Sequence, residues 1–237
     1  MALSDALSLP ACIRVQASDF RLNRVEARSP ATGGTVDVFE RATPRYTWAL
    51  TVGPLKDGED GDWTGFFGAL RGGQNTFRAY DPFRQRPRNY PSSTDPETVT
   101  ADSALVTADS IAHAADDTLF AWGNPRLSNV DTAARTVGLQ DMAAGAVIKA
   151  GDPLSYEDGT NLWRLVATQD ATANASGVIS ALPVDLVPVG LASYPAPVSF
   201  YRAACEMRIV SESIETPRQR ARGAVVRFEA FQVIRSA

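Results

Sequence analysis

The sequence predicts a mainly β protein with one short packed helix and an inserted small β module, and three observations carry that expectation. Tyr46–Val52 alternates Tyr46, Trp48, Leu50 and Val52 against Thr47, Ala49 and Thr51, the mark of a strand with one face in a core. Only one stretch, between Asp60 and Gly73, carries apolar residues at helical spacing. From about residue 101 onward, short apolar runs recur between turn signals at the roughly 8–12-residue spacing of small barrels and sandwiches.

The first 55 residues read as strands broken by turns. Ala11–Val15 and Val36–Phe39 are short runs ahead of Tyr46–Val52, and Ser29-Pro30-Ala31-Thr32-Gly33-Gly34 is a turn with strong Pro and Gly signals. In the helix that follows, Trp63, Phe66, Phe67 and Leu70 share one face. Asp60 or Asp62 can cap its first N–H groups, and Gly72-Gly73 supplies the left-handed residue that stops it. So short a helix is marginal alone in water, so its stripe is expected to lie on a sheet. Thr76–Tyr80 returns as a strand.

Pro82–Pro96, rich in Pro, Ser, Thr and Asp, reads as an extended loop. The next section offers Leu119–Trp122, Thr136–Leu139, Val147–Ile148, Leu154–Tyr156, Leu162–Ala167, Gly177–Ala181 and Val184–Val189 as strands. Glu157-Asp158-Gly159-Thr160-Asn161 and Asn174-Ala175-Ser176-Gly177 are turns between them. Ala203–Val210 and Ala224–Val233 close the chain as longer strands around a charged turn region, Glu212–Arg222. That tail resembles the N-terminal third, which predicts a discontinuous domain of residues 1–100 and 201–237 interrupted by a β module at 101–200.

Composition excludes more than it assigns. A hydrophobic content of 44% with a net charge of −4 argues for a folded chain with no global pull toward nucleic acid. All but two of the 23 basic residues are arginine, the exceptions being Lys56 and Lys149. Arginine is favoured at protein contacts, although a GC-rich genome yields the same bias. Cys12 and Cys205 lack metal-ligand spacing and read as free buried thiols. The N-terminus lacks the pattern of a signal peptide, and no apolar run approaches the roughly 18 residues a membrane span needs, so no membrane insertion is expected.

The candidates for chemistry are few, and the expectation is a protein that is not an enzyme and carries no metal or cofactor. His113 is the single histidine, and no G-x-S-x-G segment presents a serine beside it. Carboxylates gather at Glu59/Asp60/Asp62, Asp116/Asp117 and Glu157/Asp158, all at turns or a helix start, where they cap and solubilise. Gly72-Gly73 follows a helix, the wrong context for a phosphate loop. Two basic patches stand out. Arg78, Arg84, Arg86 and Arg88 interleave with Tyr80, Phe83 and Tyr90, and Arg218, Arg220 and Arg222 form a second cluster. Both can bridge to a neighbouring subunit's carboxylates, face a polyanion, or line a channel through which nucleic acid passes unread.

Several segments, in order, resemble the distal tail proteins of long-tailed bacteriophages (siphophages) and gene transfer agents. They are Ser29-Pro30-Ala31-Thr32-Gly33, the Trp48 strand, and the run Phe66-Phe67, Leu70-Arg71-Gly72, Thr76-Phe77 and Asp81-Pro82. Ala150-Gly151-Asp152-Pro153-Leu154-Ser155 before Leu162-Trp163-Arg164-Leu165-Val166 is similar to a strand pair of phage tail-tip proteins. The resemblance implies a structural virion protein at the tail tip, made in the host cytoplasm, that forms a homo-oligomeric, hexameric ring. That ring would join the tail tube protein to the baseplate hub protein and receptor-binding apparatus, with DNA passing through its lumen. It also implies a tail-tube-like β-sandwich and an OB-like or galectin-like inserted barrel.

Two other functions compete. A carbohydrate-binding module would use Trp122, Tyr156 or Trp163 as a sugar platform, although each also suits a core. A tail-associated cell-wall hydrolase would need a pair of the turn carboxylates across a cleft.

Overall fold

The structure, a computed structural model, describes residues 6–10, 14–30, 36–40, 42–56, 58–88, 105–106, 112–113, 123–188, 195–216, 218–219 and 223–235. It opens with β1 (Val15–Asn23), β2 (Glu26–Pro30), β3 (Val36–Glu40), β4 (Arg45–Leu55), α1 (Glu59–Leu70) and β5 (Phe77–Tyr80). The middle holds β6 (Leu105–Val106), β7 (Ala112–His113), β8 (Arg126–Asp131), β9 (Thr136–Gln140), β10 (Val147–Ile148), β11 (Pro153–Glu157) and β12 (Leu162–Val166). The remainder is β13 (Ala171–Thr172), β14 (Ile179–Pro183), β15 (Ala196–Ser199), β16 (Ala204–Ile209), β17 (Arg218–Gln219) and β18 (Gly223–Gln232). The protein is mainly β with one short helix. Two compact units emerge, Met1–Pro82 with Cys205–Ser236 and Phe83–Ala204; the sequence reading set its divisions at 100 and 200.

The first unit is built on a sheet ordered β1-β4-β18-β16-β5, with β17 beside β18. Alternation along β4 and β18 sends Tyr46, Trp48, Leu50, Val52, Val226, Phe228 and Ala230 to one buried face. The helix α1 covers that face with Trp63, Phe66 and Leu70. The Trp63 ring lies 5.9 Å from Phe228, and Phe66 meets Phe77 edge-on at 5.5 Å. Phe67 is half-buried and reaches Phe228 from the border at 5.7 Å. Burying each such side chain is worth about 1.5–3 kcal/mol, which is how so short a helix persists.

Both ends of α1 differ from the reading of the sequence. The N-cap is Gly58, with no side-chain cap, and Asp60 and Asp62 lie inside the first turn. The carboxylate that serves this end is Glu59, whose Oε2 accepts from the Lys56 N–H at 2.7 Å. At the other end Arg71 itself takes the left-handed conformation, φ 48°, before Gly72 and Gly73 follow it. Gly73 has a second constraint: at φ 85°, a Cβ there would stand 2.8 Å from the Ile209 carbonyl oxygen.

One ionic group sits in this unit's interior. Glu206 on β16 accepts from the Thr76 hydroxyl and from both terminal nitrogens of Arg235. At the sheet's outer margins, Leu7 bridges in parallel to Phe77 on β5. No strand pairs with the free side of β1 among the described residues.

The second unit curls. Six of its strands form a sheet ordered β12-β11-β15-β8-β9-β14, every described pairing antiparallel, and β10 pairs with β13. The two outer strands then meet, because Ala167 bridges Val184 and the Thr168 N–H donates to the Pro183 carbonyl at 2.9 Å. The Asp185 carboxylate secures the seam by accepting from the Val166 N–H at 2.7 Å. Inside this barrel-like sheet lie Leu127, Val137, Leu139, Leu154, Trp163, Leu165 and Leu182, all buried. Asp158 holds the β11–β12 turn through the N–H groups of Thr160 and Asn161 and the Trp163 indole.

Several strands have no counterpart in the sequence reading. β1 starts at Val15, where the expected Ala11–Val15 run ends; β6, β7, β8, β13, β15 and β17 are further additions, and Ser29-Pro30, expected in a turn, ends the strand β2. Residues 184–188 of the expected Val184–Val189 run do not form a strand: after the Val184 bridge and the Asp185 N–H bond to the Val166 carbonyl at 3.0 Å the chain leaves the ladder, although Leu186 stays buried, and Val189 lies outside the described residues. Leu119–Trp122 lies outside the described residues.

Candidate functional site

Three of the arginines singled out in the sequence gather at one place. Arg84, Arg86 and Arg88, with Phe83, line a pocket of about 310 Å³ whose other wall is Ala150-Gly151-Asp152-Pro153. The loop that carries them is short of regular backbone pairing, and two anchors fix it instead.

The first anchor is Asp152, which is buried. Its Oδ1 accepts from the Arg88 N–H at 3.1 Å and lies 3.6 Å from the Arg88 Nε, while its Oδ2 accepts from the Lys149 N–H at 2.8 Å. Arg88 also donates to the Ala150 carbonyl oxygen. The turn beneath Arg88 is made with Gly151 at φ 95°, a backbone conformation that residues with a side chain rarely adopt. Behind the turn, Asp170 accepts from Lys149 Nζ and from the Ala150 N–H, both at 2.8 Å. The Lys149 hydrogen bond, followed by that of the Ala150 N–H, holds the Asp170 carboxyl below its usual range.

The second anchor is aromatic. The guanidinium of Arg86 lies 5.3 Å from the centre of the Tyr201 ring, and that of Arg202 lies 5.0 Å from it. Arg202 in turn donates its N–H to the Gln85 carbonyl at 2.7 Å. Arg84 makes no hydrogen bond or ion pair with any described residue. Beside it Phe83 is 63% exposed, one of two large apolar side chains so placed among the described residues. Three guanidiniums against one engaged carboxylate leave the pocket positive, with an apolar rim. Its chemistry is that of an oxyanion receptor.

The other candidates are distributed elsewhere. Arg78 sits half-buried on β5 in the first unit, its N–H donating to the Leu7 carbonyl. Arg218 lies on β17, where its backbone pairs with Ala224; Arg220 and Arg222 fall outside the described residues. The helix residues Trp63, Phe66, Phe67 and Leu70 form packing, as described above. Tyr156 and Trp163 are buried, so neither offers a sugar platform, and Trp122 is outside the described residues. Glu59 and Asp158 are occupied by the backbone groups they hold, and Asp116 and Asp117 are outside the described residues. His113 is described only as a backbone pairing with Leu105, and Cys205 is a buried free thiol.

Two contributors have no link to the arginines in the sequence: Ala150–Pro153 reads there only as a motif, and Tyr201-Arg202 carries no signal. The available signal was Gly151-Asp152: an aspartate after a left-handed glycine, in a run otherwise apolar, is an aspartate with backbone groups to hold.

No family model matches this chain, and no curated protein matches it. The fold and the pocket together define a two-unit, mainly β protein with a basic, aromatic-rimmed surface site.

Proposed function

We propose that this chain is a structural subunit of a homo-oligomeric, hexameric ring at the distal end of a phage-type tail, a distal tail protein that joins the tail tube to the baseplate hub and receptor-binding apparatus. The observation that carries this reading is the first unit's sheet. Its core is complete under α1, yet β1, nine residues long, pairs with β4 on one side and with no strand on the other among the described residues. An isolated protein has to protect such a margin, whereas a closed ring of identical copies consumes it.

Two further features support the reading. The inserted barrel-like module is a compact unit of its own, the kind of part that an adaptor meeting different hosts can vary. The arginine pocket suits a contact with a neighbour's carboxylates, and DNA crossing the lumen is the alternative polyanion. In this role the protein turns over no substrate and needs no cofactor.

Co-expression with a tail tube protein and a baseplate hub protein, followed by native mass spectrometry and electron microscopy, tests the reading. A closed ring of one copy number, seated between the two partners, is the expected result. A chain that stays single in the presence of both overturns it.

A further inference from the structure

We propose that the pocket of Arg84, Arg86 and Arg88 receives the acidic, glycine-faced outer surface of α1 from a second copy of this chain. The inference rests on the ring reading and deepens it by naming one of the head-to-tail contacts.

Charge selects the occupant. The pocket is positive in a chain whose net charge is −4, so it is a local exception that a copy of the same chain can satisfy. Asp60 and Asp62 stand in the first turn of α1 beside Glu59, which is itself held by the Lys56 N–H and the Arg14 guanidinium, and no basic residue stands in the last turn. Carboxylates at a helix N-terminus are stabilised as anions, which suits them to guanidinium forks. Asp62 is exposed.

Shape gives an independent reason. Gly61, Gly65 and Gly68 lie on the side of α1 away from the sheet, and a Cβ at any of them would meet nothing within 4 Å. Each is a poorer helix former than alanine, and the fold of one copy offers no reason for them. Small residues on a helix surface let another element come close. The exposed ring of Phe83, on the rim of the pocket, is an apolar group that such a smooth face would cover. Phe83 against the glycine face and Arg84 against Asp62 are thus two halves of one contact. Because the acidic helix and the basic pocket are different patches, the contact is heterologous and propagates around a ring.

The test is sedimentation of the isolated full-length chain over a range of concentrations, with thermal unfolding measured in parallel. Arg84→Glu and Asp62→Arg are each expected to weaken self-association by about tenfold or more, and the double variant to regain most of it. Gly65→Gln is expected to weaken association while its unfolding temperature does not fall, which separates blocked docking from a damaged fold. Added salt weakens the wild-type contact. If Arg84→Glu associates as the wild type does, or the double variant is no better than the single ones, the contact is overturned while the ring reading stands. A wild-type chain that remains monomeric at every concentration also overturns it; the ring reading is then decided by co-assembly with the tube and hub proteins.

Discussion

Arg235 reaches Glu206 with both terminal nitrogens, and the Glu206 side chain is only 2% exposed while that of Arg235 is 26% exposed. The pair raises the affinity of the guanidinium for its proton, through the hydrogen bond first. Such a pair resembles a lock more than a spring: breaking it is costly, while replacing both partners with apolar groups need not be. Arg235→Met leaves the buried carboxylate without its cation. Its urea unfolding midpoint is expected to fall, with a loss of about 3–5 kcal/mol. Arg227, which pairs with Glu215 at 3.8 Å on the open surface, is the control. Arg227→Ala is expected to cost less than about 1 kcal/mol.

Trp63 and Phe228 join the helix to the sheet. Alanine at either position is expected to cost about 3–5 kcal/mol, since both side chains are buried. A double-mutant cycle by chemical denaturation is expected to show the two costs falling short of additivity by about 0.5–1.5 kcal/mol. Full additivity would mean that α1 does not rest on Phe228.

Asp158 separates a structural role from a catalytic one. Its Oδ1 accepts from two backbone N–H groups at 2.8 and 2.6 Å, and its Oδ2 accepts from the Trp163 indole at 2.6 Å. Asp158→Ala is expected to destabilise the chain by about 2–3 kcal/mol and to shift the Trp163 fluorescence. Asp158→Asn keeps one acceptor and is expected to lose less. A variant that unfolds like the wild type but loses activity on cell-wall material would revive the hydrolase.

Asp170 gives a pH signature to the turn behind the pocket. Its folded pKa is lowered, so its contribution to stability is present above the pKa of the unfolded chain and disappears as pH falls through the folded value. The carboxylate is exposed, so the effect on stability is small, and NMR titration of the carboxyl carbon is the suitable measurement. In Lys149→Met the titration midpoint is expected to move up toward the ordinary aspartate range, because the largest cause of the shift has been removed.

Strong alternation was legible and weak alternation was not. Tyr46–Val52 lies within β4, where large apolar groups on one face stand against small or polar ones on the other, and Ala224–Val233 matches β18 almost residue for residue, with Val226 and Phe228 alternating against Arg227 and Glu229. In β1 the inward residues Ser18, Phe20 and Leu22 are only half-buried, and at the sheet margin polar residues occur on both faces. β8 buries Leu127 alone, and β15 is built from Ala196, Pro197, Val198 and Ser199, too small for a pattern. Val184–Val189 misled for the opposite reason. Val184 and Leu186 are buried, but the run pairs through the Val184 bridge and the Asp185 N–H and then packs outside the ladder. At the pocket, the arginines were visible as a cluster. Their partners Asp152 and Tyr201 lie 64 and 115 positions from Arg88 and Arg86, and such long-range pairs have no local signature.

The Gln85–Arg202 hydrogen bond ties together the two stretches by which the chain comes into the second unit and goes out of it. A module whose ends are stapled side by side behaves like a cartridge. It can be excised, exchanged for a foreign one of different size, or tolerated as a late acquisition, provided the replacement brings its two termini to the same clasp.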